Sequence, residues 1–265
     1  MTTNTYWEQR ARQNEAKAAK LASNASYRTK QLLREVYKEI QIYLNDLLVD
    51  IGSTAPTRTE LWQSAKYLRL RQIIEEKLTG SASAQIDIVQ SVLEEVFKEV
   101  IGREMKDFKQ TLPEAEVDAM IRRLCDTAWS GSNYSKRIWI NAGAAAAHLE
   151  KDITDMIVLG KNPTQIKAKL AEDLGVSYRV ADRLIRTESA YIMTQASIEG
   201  YKTAGIQQVK FLHGTGKSCK SCECEALNGK IFDLGTEPTL PLHPNCVCCY
   251  APVIKLPPRE ENTDK

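Results

Sequence analysis

The chain has 265 residues, 43% of them hydrophobic and 26% charged, with a net charge of +2. That length suits one large domain or two smaller ones, and the apolar content is enough for a core. So small a net charge gives no global field for nucleic acid, and apolar runs as short as Ala142 to Ala147 give no segment able to span a bilayer.

The N-terminus, Met1-Thr-Thr-Asn-Thr-Tyr-Trp-Glu-Gln-Arg10, lacks the apolar stretch and small-residue cleavage site of a secretory signal. We expect a chain made and kept in a reducing cytosol. Residues 1–40 carry eight Lys/Arg against four Glu. Arg10, Arg12, Lys17 and Lys20 are therefore candidates for phosphate contact with double-stranded DNA, although a solvated helix face is the favoured account of such a charge run.

The first four-fifths reads as helix. Leu32, Val36, Ile40, Leu44, Leu47 and Ile51 recur at three- and four-residue spacing, and Gly52-Ser-Thr-Ala-Pro56 ends the stripe. A second run starts near Thr59 and stops at Gly80-Ser-Ala-Ser, and a third covers Ile86 to Ile101. Pro113 opens a fourth. After the loop Trp129-Ser-Gly-Ser-Asn-Tyr134 comes a helix from Ile138 to Ile157, closed by Gly160. A short helix from Pro163 ends at Gly175, and Ser177 caps a last long one that runs to Gly205. The texture then changes. Ile206 to Leu212 alternates as a strand does, and Lys230-Ile-Phe232 follows a turn at Asn228-Gly229. Pro238, Pro241 and Pro244 preclude helix beyond it. The expected fold is mainly α: a multi-helix body over residues 1–205, a small irregular β-rich module that binds metal through Cys and His over 206–255, and a mobile tail over 256–265.

Six of the seven cysteines fall between Cys219 and Cys249. Clustered cysteines in a reducing compartment point to metal or redox chemistry. Zinc takes four N or S ligands, drawn in structural sites as two close pairs from two turns. Cys219 and Cys222 form a C-x-x-C pair, and His243 with Cys246 forms an H-x-x-C pair further on. Cys248 or Cys249 could replace Cys246, Cys224 could displace Cys222, and His213 is a further substitute. Such an ion would stabilise a module too small to hold itself by burial. A disulfide pair is the alternative if the protein ends outside the cell. A thioredoxin-like motif is disfavoured because the C-x-x-C does not open a helix after a strand. His148 and Cys125 read as core or flank residues of helices. Glu223 and Glu225 could serve as the base of a zinc hydrolase, the least favoured function, since the sulfur-rich ligand set leans structural. Gly214-Thr-Gly216-Lys217-Ser218 lacks the full spacing of a phosphate loop.

The order of elements carries a resemblance. Arg186-Thr187-Glu188 lies on a helix, followed by Cys219-x-x-Cys222, Leu227-Asn-Gly-Lys-Ile-Phe232 and Leu240-Pro-Leu-His-Pro-Asn-Cys246-Val-Cys248. This is similar to the phage minor head protein family, also called head morphogenesis or Mu F-like minor capsid proteins. Tyr6-Trp7-Glu8-Gln9-Arg10 and Trp129-Ser-Gly-Ser-Asn-Tyr-Ser-Lys-Arg-Ile-Trp139 also resemble members from phages of Gram-positive hosts. Leu240 stands where the family has a proline, and Val247 where it has an arginine.

The resemblance implies a non-enzymatic minor structural protein inside the phage head. It would be associated with the portal, act in procapsid assembly and share in DNA ejection. It also implies that Arg186 and Glu188 orient the last long helix against the metal module.

Overall fold

A computed structural model describes residues 3–52, 55–214 and 223–254. Among them are seven helices and three strands. They run in the order α1 (Thr3–Ile51), α2 (Arg58–Gln63), α3 (Ala65–Phe108), α4 (Glu114–Asp126), α5 (Tyr134–Val158), α6 (Pro163–Thr203), β1 (Gln208–Leu212), α7 (Glu223–Leu227), β2 (Ile231–Asp233) and β3 (Cys249–Pro252). The protein is mainly α with a small antiparallel sheet near the C-terminus, as its patterning predicts. No helix among the described residues is long and apolar enough to cross a membrane. Cys219, Cys222 and the tail over 256–265 lie outside the described residues.

Several helix ends follow local chemistry. Gly52, at φ 64°, closes α1 in the left-handed conformation that a side chain resists. Thr57 and Glu60 form a reciprocal capping box at the start of α2. The Asn133 side chain accepts from the Lys136 N–H at 3.0 Å and caps α5.

Two expected breaks are absent. α3 runs unbroken through Gly80-Ser-Ala-Ser, and α6 runs through Gly175. At the first, Ser81 Oγ donates to the Leu78 carbonyl and accepts from Gln85 Nε2, so the hydroxyl is satisfied without leaving the helix. Ala82 beside it is fully buried. Ser177 caps nothing; its hydroxyl pairs with the Tyr37 hydroxyl at 3.1 Å. A glycine inside a helix costs about 1 kcal/mol against alanine, and packing of the flanking turns outweighs that here.

By packing, the chain falls into two compact units. One draws on Met1–Ala19, Val96–Ala119 and Ser189–Lys265, the other on Lys20–Glu95 and Met120–Glu188. We call them the sheet unit and the helical unit. α1, α3, α4 and α6 each contribute residues to both, so the units do not follow the change of texture at residue 205.

The helical unit centres on an aliphatic cluster that includes Ile40, Leu44, Leu47, Leu70, Ile73, Leu149 and Ile153. In the sheet unit the strand order is β2-β1-β3, both pairings antiparallel, with Val209 opposite Phe232 and Phe211 opposite Tyr250. Val209, Phe211 and Tyr250 pack with Ile198 and Tyr201 of α6 and with Cys224, Cys246 and Cys248. Tyr201 donates its hydroxyl to the Tyr250 carbonyl, and Tyr250 donates its own to the Pro238 carbonyl. Trp7 of α1 stacks on Phe108 of α3, with centroids 4.5 Å apart.

Candidate metal centre

Cys224, His243 and Cys246 come together: one ligand atom from each lies within 4.8 Å of the others, so the group could hold a metal ion. Cys224 sits on α7 and is fully buried, while Glu223 and Glu225 on either side are exposed. The Cys224 and Cys246 sulfurs are 3.8 Å apart. Cys125, Cys224, Cys246, Cys248 and Cys249 are not in disulfides.

The H-x-x-C spacing works because it is a turn. The Cys246 N–H donates to the His243 carbonyl at 3.1 Å, and Asn245 sits at φ 60°. Proline second and a left-handed residue third is the pattern of a type II turn, where asparagine can stand in for glycine. The turn sets His243 and Cys246 at its two ends. His243 Nδ1 lies 3.0 Å from the Pro244 carbonyl. A proton on Nδ1 donates to that oxygen and leaves Nε2 as the nitrogen for a metal.

Cys248 lies close by. Its sulfur accepts from the Gly214 N–H at 3.4 Å. Gly214 is there because nothing larger fits: a Cβ would stand 2.3 Å from Val247 Cγ2 and 2.7 Å from the Val247 carbonyl oxygen. The Cys248 thiol donates toward Cys246 and holds it down at about 5, against the opposing effect of burial. Cys248 is pushed up for the complementary reason, since it keeps the shared proton. Cys246 is 2% exposed, and a thiolate so buried would need a positive charge of the kind a metal ion brings.

The other expected site residues fall differently. Cys249 begins β3 opposite Leu212 and is outside the ligand group. Burial, the largest cause, pushes its thiol up to about 12. The His213 carbonyl accepts two N–H groups of Arg12, each at 3.2 Å. Arg10 pairs with Asp107, and Lys17 lies 3.5 Å from Glu99. These three basic side chains are engaged by the sheet unit itself, whereas Lys20 is exposed.

Arg186 and Glu188 bond within the helical unit. Arg186 Nε donates to Asp182 at 3.0 Å. Glu188 accepts from Trp129 Nε1 at 2.9 Å and from Arg137 at 3.2 Å. Their bonds thus run to neighbours of that unit instead of to the metal group. Burial pushes the Glu188 carboxyl up, and Trp129 and Arg137 oppose it.

Among the described residues the alternate Cys224 is the one that joins His243 and Cys246, while Cys219 and Cys222 of the first-choice set lie outside them. Spacing alone could not separate it from Cys222, two positions away. Gly214 and Asn245 were not singled out by sequence for this site, though the Pro-Asn step between His243 and Cys246 is a turn signature. No known protein family matches the chain, and neither a curated protein nor a solved structure matches it.

Proposed function

We propose that the chain is a non-enzymatic structural protein whose C-terminal sheet is held by a zinc ion, and that it serves as a portal-associated minor component of a phage head during procapsid assembly. The observation that carries the zinc reading is the sulfur separation. Two thiolates bound to one tetrahedral zinc at about 2.3 Å stand roughly 3.8 Å apart. The Cys224 and Cys246 sulfurs are at 3.8 Å. A disulfide would bring them to about 2.0 Å.

Sulfur and imidazole suit zinc better than magnesium or calcium, which take oxygen. Cys224, His243 and Cys246 supply three ligands. The fourth comes from Cys248 or from the Cys219-x-x-Cys222 pair. An ion there ties α7 to the turn before β3, and so closes a sheet of strands only five, three and four residues long. Four protein ligands leave no open position for water, which favours a structural over a hydrolytic ion.

The head-assembly role rests on the motif resemblance. It gains support from the helical unit, where Glu188 of the Arg-Thr-Glu motif binds Trp129 and Arg137 of the Trp129-to-Trp139 motif. Co-expression with the portal and major capsid proteins of a tailed phage of a Gram-positive host tests it. A few copies of the chain should co-sediment with procapsids, and only when the portal is present. Recovery of the chain solely in the soluble fraction would overturn the assignment.

A further inference from the structure

The helical unit holds a cavity of about 230 Å³ that the metal centre and the head-assembly reading leave unused. It lies between α1, α3, α5 and α6, whose Leu33, Leu78, Val89, Ile138, Leu184 and Ile185 give it hydrocarbon walls. The space exists because Ala142 and Ala145 of α5 and Ala181 of α6 also line it, and a methyl group stands where a longer side chain would close the gap. Protein interiors hold few voids larger than a water molecule, so a space of this size marks a place for a ligand. Ala144, His148 and Val176 line it too and are exposed, which gives a ligand its way in.

The walls select that ligand by what they withhold. Tyr37 pairs with Ser177, and Gln85 Nε2 donates to Ser81. Asp173 Oδ1 takes the Lys169 ammonium at 2.8 Å, and His148 Nε2 lies 3.3 Å from Asp152. The Thr29 hydroxyl and Asp173 Oδ2 each expose under 1 Å², so neither faces the space. A charged or strongly polar molecule entering here gives up its water for few bonds in return. Water itself holds an internal site only where several polar groups converge on it. A hydrocarbon has no such cost: it leaves water favourably and gains dispersion contacts with the leucine, isoleucine and valine walls.

We propose that this cavity binds a small uncharged apolar molecule, of the bulk of a benzene ring with a short alkyl arm. Size sets that bulk. An engineered cavity of roughly 150 Å³ with aliphatic and aromatic walls takes benzene itself. The space of about 230 Å³ has room for the arm as well, yet falls below the roughly 300–1,000 Å³ of pockets for drug-sized molecules.

Ethylbenzene is the probe, with benzyl alcohol and benzylamine as its hydroxyl and charged isosteres, followed on the full chain by methyl-resolved NMR and thermal shift. Ethylbenzene should bind saturably, move the methyl signals of Val89 and Ile138, and raise the melting temperature. Benzyl alcohol should bind about tenfold or more weakly, the cost of burying a hydroxyl that finds no partner, and benzylamine should not bind. Ala145→Leu should fill the space and weaken ethylbenzene by about tenfold or more, with the helical circular dichroism intact. No saturable ethylbenzene binding, signal changes confined to methyl groups outside the cavity, either isostere binding as tightly as ethylbenzene, or undiminished binding in a folded Ala145→Leu chain would overturn the proposal. The isostere comparison uses the unaltered chain, so it decides even if the variant fails to fold.

Discussion

The centre of the helical unit is aliphatic: Ile40, Leu44 and Leu70 are fully buried, and the side chains around them are almost all hydrocarbon. The centre of the sheet unit is different. Three sulfurs, Cys224, Cys246 and Cys248, lie among Val209, Phe211 and Tyr250. A fully buried carboxylate, Glu104, takes the Asn14 amide at 2.7 Å. Long helices offer an apolar position every three or four residues and can close over themselves. Three short strands cannot, and a metal-sized cluster of sulfur and imidazole stands where more hydrocarbon would be needed. The difference teaches that Cys224, Cys246 and Cys248 are part of the core of the sheet unit, and that the two units should fail in different ways.

The sharpest way to break that contrast is Cys246→Ser. If the roughly 10–16 kcal/mol of a structural zinc site divides over four ligands, removing one costs about 3 kcal/mol or more, over a hundredfold in metal affinity. Metal should be lost, and with it the near-ultraviolet signal of Phe211 and Tyr250, while most helical circular dichroism persists.

Leu70→Ala should do the converse. It removes a fully buried side chain from the helical unit and should cost about 2–5 kcal/mol in a denaturant titration, with metal content unchanged. Metal loss in this variant would mean that the two centres are not independent.

Glu104 sharpens the contrast through pH. Burial, with the Asp107 carboxylate as the next cause, pushes its carboxyl from 4.5 up to about 7. A carboxyl that folding makes harder to ionise stabilises the fold only while it is protonated. The contribution is full below pH 4.5 and is lost as pH rises through 7. It corresponds to about 3 kcal/mol. Glu104→Gln can keep the bond from Asn14 and should flatten the decline between those two pH values. Variant and parent stability curves that run parallel across that window would contradict the assignment.

The smallest effect belongs to the capping box of α2. Thr57→Ala should cost about 1 kcal/mol and leave metal binding untouched, as measured by a modest fall in melting temperature.

Legibility in the sequence followed the range of the interactions. The end of α1 at Gly52 was visible because a helix stop is local chemistry, and the start expected near Thr59 lies close to α2, whose Thr57 cap only the structure shows. β1 and β2 were visible through alternation and through the Asn228-Gly229 turn. The helix breaks expected at Gly80 and Gly175 did not occur, because burial of nearby residues such as Ala82 and Leu170 outweighs the local cost of a glycine. β3 was not foreseen: all four of its residues are buried, so there is no alternation to read, and Pro252 sits at its end. The division into two units was also invisible, since helices continue through it. For the site, His243 and Cys246 could be paired from spacing because a four-residue turn fixes their geometry. Cys224 could be named only as an alternate, because a third ligand arrives through tertiary packing. Glu104 gave no signal at all among the many charges of the helices.

Elemental analysis of the purified chain, before and after chelation and alongside circular dichroism, tests the central claim most directly. One zinc per chain should be found, and its removal should abolish the near-ultraviolet signal of the sheet unit while most helix remains. A well-folded chain without bound metal, whose Cys224 and Cys246 thiols react freely and whose spectrum ignores the chelator, would contradict the account.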